Sequence, residues 1–315
     1  MIQDLSFLLI AFLVLWVGSG ISISGVEKVS RYVKIPSFLI SFFALGVLTS
    51  VSEISVAYFS IIDKTPGISV GNLIGGSVVL SLLIIPLLVV LNKGIHLNEK
   101  AEPINFPFAF LVISLPVILV LDNVISIVDA FVMIFSFGLL VMTISRRNTL
   151  LDKIEEVINH HNVNIFIESL KILFGIVLII ISCKFIVDTA VLYANKFSVA
   201  PFLIGLILLS IGTNLPELTV LIRSTILKKK TIALGDYIGS AALNTLILGF
   251  LTLFYRQPIQ ISGGIKYNLL LLPIGAALFL LFTRNKKLDR KEGAILLSLY
   301  VLFIILELWL RPVNL

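Results

Sequence analysis

Two stretches of the chain, 164 residues apart, align without a gap, and each sets one glutamate inside a hydrophobic segment. Thr49, Glu53, Gly71, Ile74 and Gly75 recur as Thr213, Glu217, Gly235, Ile238 and Gly239. A duplication of this kind restricts the fold to two copies of one unit packed together. When the duplicated sequence is membrane-spanning and carries an acid at its middle, it marks a transporter whose ion site lies between the repeats.

Composition requires the membrane. Of 315 residues, 58% are hydrophobic and only 13% charged, a balance foreign to soluble domains of this length. Ten apolar runs, from 5–25 to 292–310, are each long enough to cross a hydrocarbon core of roughly 30 Å. The first is bordered by Asp4 rather than by basic residues and is followed by further spans, so it is expected to stay as a helix and not to be cleaved. The single cysteine, Cys183, excludes a disulfide or a thiolate metal cluster.

Charge sets the expected orientation. The loops and span ends after the odd-numbered spans hold seventeen Lys and Arg, from Lys28 to Lys291, against five (Lys64, Lys196, Arg256, Lys266, Arg311) on the other side. The positive-inside rule then places both termini outside the cytoplasm of a cell that carries the protein in its plasma membrane. The net charge of +6 is accounted for by these loops, so nucleic acid is not an expected partner. For the Lys228–Lys230 run, a lipid-headgroup patch is the alternative.

The interval 146–164, with Arg146, Arg147, Asp152, Glu155, Glu156, His160 and His161, is the least apolar and separates five spans from five. An odd number per half inverts the second copy relative to the first. The expected fold is therefore an all-α membrane protein of about ten transmembrane helices in two inverted five-helix repeats, 1–145 and 165–315. The 146–164 loop is too short to bury a core of its own. His160 and His161 could hold a metal, although without a third ligand solvated loop residues are the simpler reading.

In the second half the sequence runs Ser210-Ile211-Gly212-Thr213-Asn214-Leu215-Pro216-Glu217. Pro216 removes a backbone donor and Gly212 adds pliability, so a broken or kinked helix is expected beside the acid. Ser210, Thr213 and Glu217 fall on one face if the helix is continuous. The first half reads Gly46-Val47-Leu48-Thr49-Ser50-Val51-Ser52-Glu53, where Ser52 replaces the proline and could bend the helix by bonding back to a carbonyl a turn earlier. The partner spans carry Gly71 to Ser77 and Gly235 to Ser240, small residues that let helices approach closely. Asp236, Ser240 and Asn244 form a stripe of polar side chains at spacing four, matched in the first half by Asn72, Gly76 and Leu80.

Two carboxylates, two threonine hydroxyls, an amide and freed carbonyls suit a hard cation such as Ca²⁺ or Na⁺. The alternative for the two glutamates is a buried polar pair that only staples helices. Asn72 and Asp236 read equally as ion ligands or as helix caps.

These residues resemble the cation/Ca²⁺ exchanger superfamily, specifically the prokaryotic sodium/calcium exchanger-like membrane proteins, whose repeats carry G-T-S-L-P-E followed by G-N-x-x-G-S-N-x-x-N. Gly212–Glu217 reads G-T-N-L-P-E, and Gly235–Asn244 reads G-D-Y-I-G-S-A-A-L-N. The motif-bearing segments are 46–81 and 210–245. The resemblance implies a secondary antiporter in which Glu53 and Glu217 share a central Ca²⁺. Thr49 and Thr213 would supply oxygens, Na⁺ would load flanking sites, and spans 1 and 6 would slide as a gate. The full set of candidate cation ligands is Thr49, Ser50, Glu53, Ser77, Ser210, Thr213, Asn214, Glu217, Ser240 and Asn244, with Asn72 and Asp236.

No cofactor is implied, only transported Ca²⁺ and Na⁺, and the partners are these inorganic cations and the lipid bilayer, with a single chain as the working unit. Gly76, Ser77, Leu80, Asn214 and Ala241 depart from the family pattern, which leaves the number of coupled Na⁺ ions, and the choice of Na⁺ or H⁺, open. Other readings are an ion channel lined by the two acids and a sensor that binds cations without flux. The sequence holds no His-Glu-x-x-His, no nucleophile with a base and no phosphate-cradling loop, so an enzyme is not expected.

Overall fold

The structure, a computed structural model, describes residues 2–33, 50–97, 105–148, 164–226, 230–261 and 267–310. It is helical nearly throughout. The first half contains α1 (Ile2–Val33), α2 (Val51–Ile62), α3 (Pro66–Val78), a π-helical segment Val79–Ile84, α4 (Ile85–Leu91), α5 (Phe106–Leu119) and α6 (Ile127–Asn148). The second contains α7 (Ile165–Lys196), α8 (Pro201–Ile204), a π-helical segment Gly205–Leu209, α9 (Ser210–Thr213), α10 (Leu215–Ile226), α11 (Lys230–Tyr255), α12 (Leu271–Phe282) and α13 (Arg290–Leu310). Ten spans were expected, and among the described residues five helices are long and apolar enough to cross a membrane: 66–91, 127–144, 165–196, 201–226 and 233–255. Shorter apolar helices lie at 6–22, 51–62, 106–122 and 267–282.

The duplication is visible in the backbone. The helices α2 and α10 are each 12 residues long and start 164 residues apart. The two-residue strands β1 (Ile95–His96), β2 (Val124–Ile125), β3 (Ile259–Gln260) and β4 (Lys287–Leu288) pair as β1 with β4 and β2 with β3, both antiparallel. Each ribbon thus joins one strand from each half, and exchanging the halves turns one ribbon into the other. Ahead of β2 and β4, Asn123 and Lys286 both take left-handed backbone conformations. After those strands, Asp129 Oδ2 accepts from Ser126 N at 2.8 Å and Glu292 Oε2 from Asp289 N at 2.7 Å, the same helix-start cap twice.

Packing divides the molecule in two. A large apolar core joins α3–α6 to α11–α13, whereas a smaller cluster joins α1 and α7 to Val56, Ile68 and Leu209. The helices α1 and α7, 32 residues each, pack closely because glycine removes side-chain bulk at their contact. A Cβ on Gly18 would lie 2.9 Å from Gly175 O, and one on Gly25 would lie 3.1 Å from Glu168 O. Polar links cross the same seam, Ser22 Oγ donating to Ile172 O at 3.2 Å and Lys28 Nζ pairing with Glu168 at 3.1 Å. Large apolar side chains such as Phe7, Leu13, Phe166 and Phe174 remain exposed on this pair, as a lipid-facing surface requires.

Candidate functional site: buried carboxylates at two equivalent helix starts

The site is built from interruptions in helical hydrogen bonding. Asn214 separates α9 from α10 with φ −90° and ψ 12°, and Ser50, 164 residues earlier, precedes α2 with φ −82° and ψ 4°. The expected break beside Pro216 is therefore present, and α2 starts at the equivalent residue of the first half without a proline, the residues before Ser50 lying outside those described. Because the helix stops at Asn214, Ser210 and Thr213 lie on α9 and Glu217 on α10, so the three do not share one continuous helical face. Ser210 Oγ instead donates to Leu206 O at 2.6 Å, within the preceding π-helical turn.

Both acids sit in the first turn of their helices and are buried, Glu53 at 2% exposure and Glu217 at 1%. Around them Ser50, Ser77, Ser210, Thr213, Asn214, Ser240 and Asn244 are buried too. Thr49 lies outside the described residues, as do Gly46 to Leu48 and the His160–His161 pair. Neither Asn72 nor Asp236 caps a helix. The chain turns helical six residues before each, at Pro66 and Lys230, so both are interior positions, and both are fully buried.

Hydrogen bonds knit the two halves together here. Ser52 Oγ donates to Glu53 Oε2 at 2.8 Å and lies 3.4 Å from Thr213 O. Thr213 Oγ1 donates to Asn72 Oδ1 at 3.0 Å, and Tyr237 OH donates to Glu217 O at 3.3 Å. Asn214 Nδ2 donates to Ser210 O at 2.7 Å and Asn244 Nδ2 to Ser77 Oγ at 3.5 Å. Among the described residues, Asn72 Nδ2 and Asn214 Oδ1 have no hydrogen-bond partner, and of the two only the Asn214 oxygen has a lone pair to offer a cation.

Glycines bring these elements close. On α3, a Cβ at Gly75 would lie 2.7 Å from Ser210 Cβ, and one at Gly76 would lie 3.0 Å from Asn244 Nδ2 and 3.1 Å from Asn214 Nδ2. The amides of the second half thus fill the space of the missing Gly76 side chain. The first half's polar stripe ends in Leu80, which is buried, so oxygen donors come mainly from the second repeat.

Sequence reasoning did not foresee how two residues are engaged. The Ser52 hydroxyl reaches forward to Glu53 and across to Thr213 O, while the carbonyls a turn before it, to which it was expected to bond back, lie outside the described residues. Cys183 on α7 donates its thiol to Ser52 O at 3.6 Å, and on the other long helix Phe12 fills the space above Gly212. Only the placement of Cys183 within a span hinted at this. Among the described residues there is no group of three His, Cys, Asp or Glu placed to hold a metal ion.

A membrane fold with a duplicated helix start, each followed by a buried acid, is the arrangement of a cation transporter of the exchanger class. The chain belongs to the sodium/calcium exchanger family: the family model described as "Sodium/calcium exchanger protein" matches residues 4–146 and 169–309. It is 24% identical over 307 residues to an uncharacterised membrane protein of Methanocaldococcus jannaschii, covering 96% of this chain and 98% of that one. Over 128 residues it is 30% identical to the sodium/calcium exchanger MaX1 of Methanosarcina acetivorans, covering 40% of this chain and 37% of that one. The fold matches a structure of the sodium-calcium exchanger NCX_Mj soaked with Na⁺ and Sr²⁺, with a TM-score of 0.68 and 22% identity over 96% of this chain and 98% of that chain.

Proposed function

We propose that this protein exchanges Ca²⁺ for Na⁺ across the plasma membrane by alternating access. Glu53 and Glu217 share one Ca²⁺, or release it in favour of Na⁺, because two negative charges balance one divalent or two monovalent cations. The observation that carries this reading is the matched pair of buried acids, each in the first turn of an equivalent helix and joined through Ser52 and Thr213. Thr49, Ser50, Ser77, Ser210, Thr213, Asn214, Ser240 and Asn244 supply further oxygens, with Asn72 and Asp236 beside them. Leaving two carboxylates unneutralised away from water is costly, so the cycle proceeds only when loaded.

The halves 1–145 and 165–315 act as inverted repeats of a ten-span unit, joined by the 146–164 loop, with both termini outside and a single chain sufficient. The helices α1 and α7 move as the gate. Their separate apolar cluster and their contacts beside both helix starts, Phe12 to Gly212 and Cys183 to Ser52, support that assignment. The buried Leu80 and absent Gly76 side chain favour fewer Na⁺ sites on the first-repeat side. Cation binding is testable in detergent. Ca²⁺ should raise the melting temperature of the wild-type protein, by about 2.7 kcal/mol of stability at a hundredfold excess over Kd. A shift of the same size in Glu53→Gln and Glu217→Gln would remove both acids from the site.

A further inference from the structure

The two halves hold their acids differently. Position 52 and position 216 are equivalent, each the second residue of its 12-residue helix, yet one is serine and the other proline. Pro216 has no side-chain donor to offer its neighbour Glu217. Ser52 does, and it uses it: its hydroxyl donates to Glu53 Oε2 at 2.8 Å with Thr213 O at 3.4 Å, in a site where both Ser52 and Glu53 are buried. The backbone of the same residue is held from a third direction, since the Cys183 thiol of α7 donates to Ser52 O. One small residue thus meets the acid of the first repeat and the broken backbone of the second through its side chain, and one helix of the long pair through its carbonyl.

We infer that Ser52 is a positioning residue that fixes the Glu53 carboxylate against the second repeat, so that cation affinity depends on its hydroxyl. This rests on the reading of Glu53 as a cation ligand. A hydroxyl bonded to one carboxylate oxygen, with the Thr213 side chain reaching the same acid, fixes the rotation of the carboxylate, and holding that geometry in advance spares the cost of ordering it on binding. The backbone at Ser50 takes nearly the same conformation as that at Asn214, which has proline rather than serine two residues on, so proline at this position is compatible with the helix start.

The test measures Ca²⁺ uptake into Na⁺-loaded proteoliposomes as a function of Ca²⁺ concentration for wild type, Ser52→Ala, Ser52→Thr, Ser52→Pro and Glu53→Gln. Thermal unfolding verifies that each variant is folded. Loss of a hydrogen bond to a charged group predicts that Ser52→Ala raises KM about tenfold, with a smaller change in maximal rate, and that Ser52→Thr returns it close to the wild-type value. Proline is tolerated in a first helical turn, so Ser52→Pro should fold and behave as Ser52→Ala does, and it replaces that variant if alanine does not fold.

Wild-type KM in Ser52→Ala overturns the inference. So does wild-type KM in Ser52→Pro alongside a raised KM in Ser52→Ala, since that pattern assigns the effect to the bend and not to the hydroxyl. If Glu53→Gln transports normally, the cation-site reading itself fails and takes this inference with it. If Glu53→Gln is inactive while Ser52→Ala is unchanged, only the role of Ser52 falls.

Discussion

Replacing Gly71 with alanine should damage the site without touching any of its polar groups. The α3 helix crosses the π-helical segment 205–209 at backbone-to-backbone distance. A Cβ at Gly71 would press into the carbonyl oxygen of Phe202, with Leu206 N at 2.8 Å and Phe202 C at 2.9 Å. Gly205 meets α3 in the reciprocal way, at the Ile68 carbonyl, with Asn72 N at 2.8 Å. Backbone atoms cannot rotate aside, so the two elements must separate by about 1 Å to restore van der Waals contact, and overpacking of this kind costs about 1–3 kcal/mol. The separation would also stretch the 3.0 Å bond from Thr213 to Asn72, one residue from Gly71. Thermal unfolding in detergent, with and without Ca²⁺, should therefore show a lower melting temperature for Gly71→Ala and Gly205→Ala together with a weaker Ca²⁺ effect. Gly20 and Gly138 have nothing within 4 Å of a Cβ, and alanine there should be neutral or stabilising by roughly 0.5–1 kcal/mol. If Gly71→Ala melts with the Gly138→Ala control and binds Ca²⁺ equally well, the close approach does not support the site.

Two further outcomes follow from side chains. Asn72→Leu removes the acceptor of the buried Thr213 hydroxyl, and an unsatisfied buried donor costs about 1–3 kcal/mol; a melting curve and Ca²⁺ titration equal to wild type would show that this bond does not organise the site. Lys184 on α7 pairs with Asp188 at 2.6 Å and Asp63 at 3.4 Å from a half-exposed position. Lys184→Gln should therefore change stability by less than about 1 kcal/mol, and a loss several times larger in a chemical-denaturation series would give this pair a structural weight that its exposure does not suggest.

The acids, their repeat and the break beside Pro216 were legible in the sequence because each rests on local chemistry: an ionisable group in an apolar run, a missing donor, a fixed offset. The helix start after Ser50, equivalent to the one after Asn214, was harder to read, since Ser50-Val51-Ser52 carries no proline to mark it. Asn72 and Asp236 looked like caps because the apolar runs seemed to begin beside them, whereas the helices start earlier, at Pro66 and Lys230. The π-helical segments have no simple signature, although Val79–Ile84 ends two residues before Pro86, whose missing N–H already interrupts the ladder. Hydrogen bonds that cross between repeats, such as those of Ser52 and Cys183, depend on tertiary packing that spacing along the chain does not encode.

The central claim is exchange of Ca²⁺ for Na⁺ at a site shared by Glu53 and Glu217, and it is tested most directly by Ca²⁺ uptake into proteoliposomes loaded with Na⁺ and diluted into Na⁺-free buffer. Uptake should require internal Na⁺, fail in K⁺-loaded vesicles, and be abolished in both Glu53→Gln and Glu217→Gln. Uptake that is equal with internal K⁺, or that persists in either glutamine variant, would contradict the account.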